Sequence, residues 1–444
     1  MNLLTGRLST FRHGIHPDER KSATEGLAIE RIPFVEEYVL PLAQHTGAPS
    51  RPLVLPGDRV ERGQMIAAPD GFISTALHAP VSGTVSGIEL RPHPGGRRSL
   101  AIVIRADPFA SQRFSAGLEP LDEGLPPAEI VRAVQEAGLV GLGGAAFPSH
   151  VKFHVPEDKK VDFVVINGCE CEPYLTCDHR VMVERSAEVV RGLQIIMRQV
   201  GAERGYIGVE QNKPDAIERL RAAAASDERI RIVSLEVKYP QGAEKMLIDA
   251  IFHREVPSGK LPLDLQIVVN NVGTTAALAD LFDHGTPLVE RVVTVSGPGV
   301  RRPANLLVPL GTPLSALLDY CGGMHDDVRQ VIVGGPMMGQ AQKDLDVPTV
   351  KGTSGVLVFT EPVSMLEEDP CIRCGRCLDA CPQFLNPSLL ATVVRSGDAP
   401  KLDALNVRDC CECASCSWAC PSHIPLVQLL RVGKAMARQQ KAKS

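Results

Sequence analysis

The chain has 444 residues, enough for about three domains with cores of their own. Its formal net charge of −5 lacks the basic footprint that a nucleic-acid-binding protein shows, which excludes that class. No run of about 18 apolar residues is present, so no membrane-spanning helix is expected; nor do residues 1–17 carry the apolar core of a secretion signal.

Residues 30–105 are rich in Val, Pro and Gly, and the stretches 53–64 and 78–85 read as short strands broken by glycine turns. They resemble the lipoyl/biotinyl-type barrel-sandwich domain. No lysine lies between Gly63 and Pro80, where a swinging cofactor would attach, so a packing or docking module is the preferred reading over a carrier. From residue 126 to about 286 the pattern changes to strand–helix alternation. Residues 161–166 suit a buried parallel strand, 181–200 have helical periodicity, 205–209 are strand and 214–225 helix. Segments 230–237, 244–252 and 265–270 continue the alternation. This predicts an open wound α/β sheet, which binds ligands at the carboxyl ends of its strands. Residues 287–360 read as a small β-rich unit with strands at 291–297 and 331–335 and a helix at 314–320. An acidic linker, 361–368, leads into a loop-rich, cysteine-rich segment.

Two groups of residues ahead of that linker could hold a ligand. The glycine-rich run 138–148, with Gly141, Gly143 and Gly144, would let backbone N–H groups approach a phosphate, with Lys152 adding a charge. A simple turn is the competing reading, since neither G-x-G-x-x-G after a strand nor a Walker lysine–serine pair occurs. The expected strand ends carry Asn167, Glu170 and Glu172 on one side and Asn270, Asn271 and Thr274 on another. Such amides and carboxylates can grip ring edges and hydroxyls, although Asx-turn capping explains each one alone equally well. Cys169, Cys171 and Cys177 lack a matching second pair and read as buried thiols rather than metal ligands.

The last segment carries the strongest signal. Cys371, Cys374, Cys377 and Cys381-Pro382 repeat, at identical spacing, as Cys410, Cys413, Cys416 and Cys420-Pro421, using eight of the 13 cysteines. Disulfides suit small secreted chains, and zinc sites need neither the third cysteine nor the fourth followed by proline. The spacing is that of the bacterial ferredoxin run, in which each copy lends its fourth cysteine to the other's [4Fe–4S] cluster. One cluster would take Cys371, Cys374, Cys377 and Cys420, the other Cys410, Cys413, Cys416 and Cys381. Cys411 reads as a free small hydrophobe. The thiols require a reducing compartment, hence the cytoplasm. The basic tail 432–444 reads as a solvated helix end, with docking to a membrane partner as the alternative.

The loop 141–148, the segment 167–178, residues 239–244 and residues 269–274 resemble the FMN-binding elements of the respiratory complex I flavoprotein subunit. Joined to a barrel-sandwich and twin ferredoxin runs, and opening on residues 13–17, the chain resembles the RnfC family of the Rnf electron transport complexes. That resemblance implies four units: 1–115 with the barrel-sandwich hybrid, 116–286 as the FMN/NADH-binding α/β domain, 287–362 as a soluble-ligand-binding β-grasp domain and 363–444 as a two-cluster ferredoxin-type domain with a C-terminal helix. It implies FMN at Gly141, Gly143, Gly144 and Lys152, with Asn167, Glu170, Glu172, Tyr239, Gly242, Glu244, Asn270, Asn271 and Thr274 lining the flavin and NADH pocket. Four departures from complex I stand out: Leu142 replaces an arginine, Ala146 a glycine and Ala243 a glutamate, and no aromatic residue lies between Arg254 and Gln266. The implied activity is NADH oxidation through FMN and two [4Fe–4S] clusters, on the cytoplasmic face of the bacterial inner membrane. Electrons would pass to other Rnf proteins and thence to ferredoxin or flavodoxin, coupled to ion movement, in either direction. No side-chain nucleophile or acid–base triad is required, because the flavin converts hydride into single electrons. Two alternatives are a cobalamin reductase of the propanediol-utilisation type and a relay protein that binds no NADH.

Overall fold

Four strands of the middle segment, Phe163–Gly168, Arg204–Glu210, Ile230–Leu235 and Ile267–Asn271, form one wholly parallel sheet in a computed structural model that describes residues 8–114, 119–361 and 367–443. Their Val- and Ile-rich sequences bury both faces, one under helices Ser186–Val200 and Val272–His284 and the other under Glu244–Phe252. Strand order matters most here. The chain winds outward from Phe163–Gly168 through Arg204–Glu210 to Ile230–Leu235, then returns to pair Ile267–Asn271 on the opposite side of Phe163–Gly168. The reversal opens a crevice beyond Asn167 and Asn271, where wound sheets bind ligands. The helical pattern expected over 181–200 is split in two, Cys177–Glu184 and Ser186–Val200, because Arg185 adopts φ −128° and ψ 33°.

Three units surround this sheet. The N-terminal one packs a four-stranded sheet (Glu37–Pro41, Arg98–Ala106, Gly83–Pro92, Arg59–Val60) on a three-stranded one (Arg51–Pro52, Met65–Ala68, Leu77–His78). Its core of Tyr38, Leu40, Ile66, Leu77, Ile102 and Ile104 also takes in Val140, Leu142 and Ala146 of the glycine-rich loop. The third unit is a mixed sheet built on Glu290–Ser296, Ala304–Pro309, Gly355–Phe359 and Gln330–Val333, with helix Leu314–Tyr320 against it. Strand Ile29–Arg31 completes its edge, pairing parallel to Ala304–Pro309. The cysteine-rich unit is helical, with Pro387–Ser396 capped by Asn386, Ala399–Ala404 capped by Asp398, and the long Leu426–Lys443 packed across them. The expected boundaries at 115/116 and 362/363, linker residues 362–366, residues 1–7 and Ser444 lie outside the described residues. Within the tail, Lys434 is not free: its ammonium donates to the Cys410 carbonyl at 2.9 Å and to Glu412 at 2.5 Å.

Candidate cofactor sites

The crevice is built from backbone that its own side chains hold in place. Asn271, ending strand Ile267–Asn271, accepts from the N–H groups of Gly273 (2.8 Å) and Thr274 (3.3 Å), capping helix Val272–His284. The Asn271 amide nitrogen in turn donates to Asp178 at 2.7 Å. Burial, with Glu170 nearby, pushes the Asp178 carboxyl up to about 7. The Thr274 hydroxyl accepts from the Leu142 N–H and donates to the Val140 carbonyl, each at 2.9 Å, which docks the glycine-rich loop on the helix N-terminus. Gly144 sits at φ +122°, a conformation open to glycine and strained for other residues. The Lys152 ammonium lies between the Glu244 carboxylate (3.0 Å) and the Val269 carbonyl (2.7 Å).

Across the crevice, the Asn167 amide donates to the Gly242 carbonyl at 2.7 Å and its oxygen accepts from the Cys169 N–H at 3.0 Å. A Cβ at position 242 would stand 2.4 Å from the Cys169 carbonyl, so only glycine fits. Several groups here are unsatisfied among the described residues, both ends of the buried Gln241 amide included. Asn270 is 4% exposed, and its amide nitrogen has no partner among the described residues. A buried donor left unpaired costs about 1–3 kcal/mol, so it points to a missing acceptor such as a ligand. The N–H groups of Gly143 and Gly144 likewise donate to no described residue. Unpaired donors beside a helix N-terminus fit the phosphate and ring edges of FMN.

Three residues implied as pocket members, Glu170, Glu172 and Tyr239, have other partners. Glu170 accepts from the backbone N–H groups of Asp178 (2.9 Å) and His179 (3.1 Å) and from the Cys177 thiol (3.2 Å), which caps helix Cys177–Glu184. Glu172 reaches the third unit, accepting from the N–H groups of Met337 (3.0 Å) and Met338 (2.9 Å), with the Tyr239 hydroxyl at 3.5 Å. Desolvation raises its carboxyl to about 7 against the pull of those N–H groups. The Tyr239 hydroxyl donates at 2.8 Å to the carbonyl of Cys413, in the cysteine-rich unit. Ile15, Tyr239, Ala380 and Cys413 are buried together there, with Cys171, Met337 and Cys411 packed against them. The thiols of Cys169, Cys171 and Cys177 are all pushed up by burial, which suits inert buried thiols.

The two cysteine copies interlock. Cys381, from the first copy, lines a small cavity with Cys410, Cys413 and Cys416 of the second. Cys377 shares an apolar cluster against which Cys420 packs. Cys371 and Cys374 are exposed. A soft, all-thiolate donor set in this interlocked arrangement fits iron–sulfur clusters better than a hard cation.

Sequence reasoning missed several residues that shape the crevice: Asp178, Lys21, Arg291 and Lys351. The Lys21 ammonium holds the turn after Glu170 through the carbonyls of Glu172 (2.8 Å) and Leu175 (2.5 Å). A signal was available only for Arg291, a cation inside the largely apolar strand Glu290–Ser296.

Comparison with known proteins agrees with this architecture. Residues 9–108 match the RnfC barrel sandwich hybrid domain, 134–280 the Nuo51 FMN-binding domain, 292–341 the SLBB domain and 370–425 the 4Fe-4S dicluster domain. The C-subunit of the proton-translocating ferredoxin:NAD(+) oxidoreductase complex of Clostridium ljungdahlii is 46% identical over 86% of this chain and 84% of its own length. Its counterpart in the Na(+)-translocating complex of Acetobacterium woodii is 44% identical over 98% of both. The corresponding protein of the ion-translocating oxidoreductase complex of Rhodobacter capsulatus is 39% identical over 98% of this chain and 84% of its own. Among solved structures, an NAD+-reducing [NiFe]-hydrogenase in the air-oxidized state shares the fold, with a TM-score of 0.50, 22% identity, 71% of this chain covered and 62% of that one. The chain belongs to the RnfC family of the ion-translocating ferredoxin:NAD(+) oxidoreductase (Rnf) complexes.

Proposed function

We propose that this chain is the NADH-facing member of an Rnf-type complex, exchanging electrons between NADH and partner proteins through FMN and two [4Fe–4S] clusters. Its place is the cytoplasmic face of the bacterial inner membrane; among the described residues no helix is long and apolar enough to cross it. Ferredoxin or flavodoxin stands at the far end of the chain of partners, with ion transport coupled to the flow. When bound, FMN takes hydride from NADH and passes electrons on singly. The chain's own residues supply the rest. Gly143, Gly144 and Asn270 hold the flavin, Asn167 and Gly242 shape the opposite wall, and Lys152 and Glu244 form the rim. Cys381, Cys410, Cys413 and Cys416 hold one cluster, and Cys371, Cys374, Cys377 and Cys420 the other.

The single observation that carries this reading is the Tyr239–Cys413 bond. It joins the crevice loop directly to a cluster-binding segment in a buried contact. It also favours an order: the Cys413 set faces the flavin unit, while exposed Cys371 and Cys374, with exposed Ile372 between them, face a partner. Anaerobic NADH titration of the purified, cofactor-loaded chain tests it. Flavin bleaching followed by cluster reduction is expected; clusters reducible by dithionite but silent to NADH would reject it.

A further inference from the structure

The glycine-rich loop is poor in positive charge for a phosphate dianion. The Leu142 side chain, 6% exposed, is sunk in the core of the N-terminal unit. Lys152 is committed to Glu244. A cation nevertheless reaches the loop from another unit. Arg291, on strand Glu290–Ser296, is 4% exposed; its guanidinium donates to the Leu142 carbonyl at 3.3 Å and to the Lys351 carbonyl. Lys351 is itself fully buried. Its ammonium donates to the carbonyls of Gly138 (2.7 Å) and Ala76 (2.8 Å) and to the Thr75 hydroxyl (3.2 Å).

We propose that Arg291, backed by Lys351, is a positioning residue for the flavin phosphate. The argument is geometric. In a trans peptide the C=O and the following N–H point in opposite directions. Tying the Leu142 carbonyl to Arg291 therefore aims the Gly143 N–H away from the third unit and across the loop. The flanking donors are already used: Gly141 N–H on the Phe147 carbonyl at 2.8 Å and Leu142 N–H on Thr274. Only the donors from Gly143 onward remain for a ligand. They share this end of the sheet with the unpartnered amide of Asn270, since a Cβ at Gly143 would lie 3.3 Å from the Asn271 amide nitrogen. The buried guanidinium is weakly screened by solvent, and its charge acts on Asp178 and Glu170 as well as on an anion held by the loop. The same residue cannot reach substrate, so it acts through the loop.

This inference rests on the FMN reading, and the test separates the two. FMN and riboflavin affinities are measured on flavin-stripped protein by fluorescence quenching, in the parent and in Arg291→Met. The parent should prefer FMN. The variant should bind FMN about 10- to 100-fold more weakly while riboflavin binding holds, and Arg291→Lys should recover part of the preference. A folded Arg291→Met with the parent's FMN-to-riboflavin ratio overturns the proposal. Should that variant fail to fold, the ratio is read on Arg291→Lys, which keeps the charge but loses the fork; there an unchanged ratio overturns it and a drop of a few-fold supports it. A parent that binds neither flavin refutes the FMN reading instead.

Discussion

Replacing Tyr239 with Phe removes one oxygen from the junction between the crevice and the cysteine-rich unit. The Tyr239 ring is 1% exposed and would stay packed against Ile15, Ala380 and Cys413. What changes is the Cys413 carbonyl, which loses its donor at 2.8 Å in a buried place. An acceptor stranded in that way costs about 1–3 kcal/mol. Because the bond crosses between units, the cost falls on their docking rather than on either core. Opening of the junction should become roughly 5- to 150-fold more frequent. Hydrogen exchange of peptides covering 239–244 and 410–416, followed by mass spectrometry, measures it against helix Ser186–Val200 as an internal control. A parallel stopped-flow experiment should show slower NADH-driven cluster reduction, with flavin bleaching at the parent rate. Unchanged exchange at the junction would refute the claim that this bond couples the units.

Two further outcomes follow from the same geometry. Cys381→Ala should abolish the cluster of the second cysteine copy, not that of its own, leaving about half the iron and one electron-paramagnetic signal with the first copy's set intact; loss of the first copy's signal alone would contradict the interlocked arrangement. Glu172, with its ordinary value of 4.5 raised to about 7, keeps its proton in the folded state where the unfolded chain has lost it. Its contribution is therefore complete below about pH 4.5 and declines as pH rises to about 7. Glu172→Gln, measured by thermal midpoint, should gain on the parent between pH 5 and 8, and a pH-independent difference would count against this assignment.

What could be read from the chain in advance was local in sequence. The cysteine ruler encodes its chemistry in spacing, because cluster ligands must lie a few residues apart on one turn. The wound sheet was equally legible, since buried parallel strands are continuous apolar runs and the residues ending them, Asn167 and Asn271, are polar. Long-range partners were not legible. Nothing near Leu142 says that its side chain enters the β core of residues 38–104, or that Arg291 closes on its carbonyl. Glu170 and Glu172 look alike in sequence, two residues apart in one turn, yet one caps a helix and the other crosses to Met337 and Met338. Which neighbour a short carboxylate finds depends on packing, and packing is set by all four units together.

The segment from Ser9 to Arg31 pairs with Leu235 and Tyr239, bonds through His13 to the Leu378 carbonyl, and ends as a strand beside Ala304–Pro309. During synthesis these residues leave the ribosome early, but every one of those partners is made later. At 5–20 residues per second, Leu378 follows His13 by roughly 20 to 70 s. Over that interval its partners arrive in stages, Leu235 and Tyr239 first, then Ala304–Pro309, and Leu378 last. Docking of the segment Ser9–Arg31 is thus completed only once the cysteine-rich unit has been made.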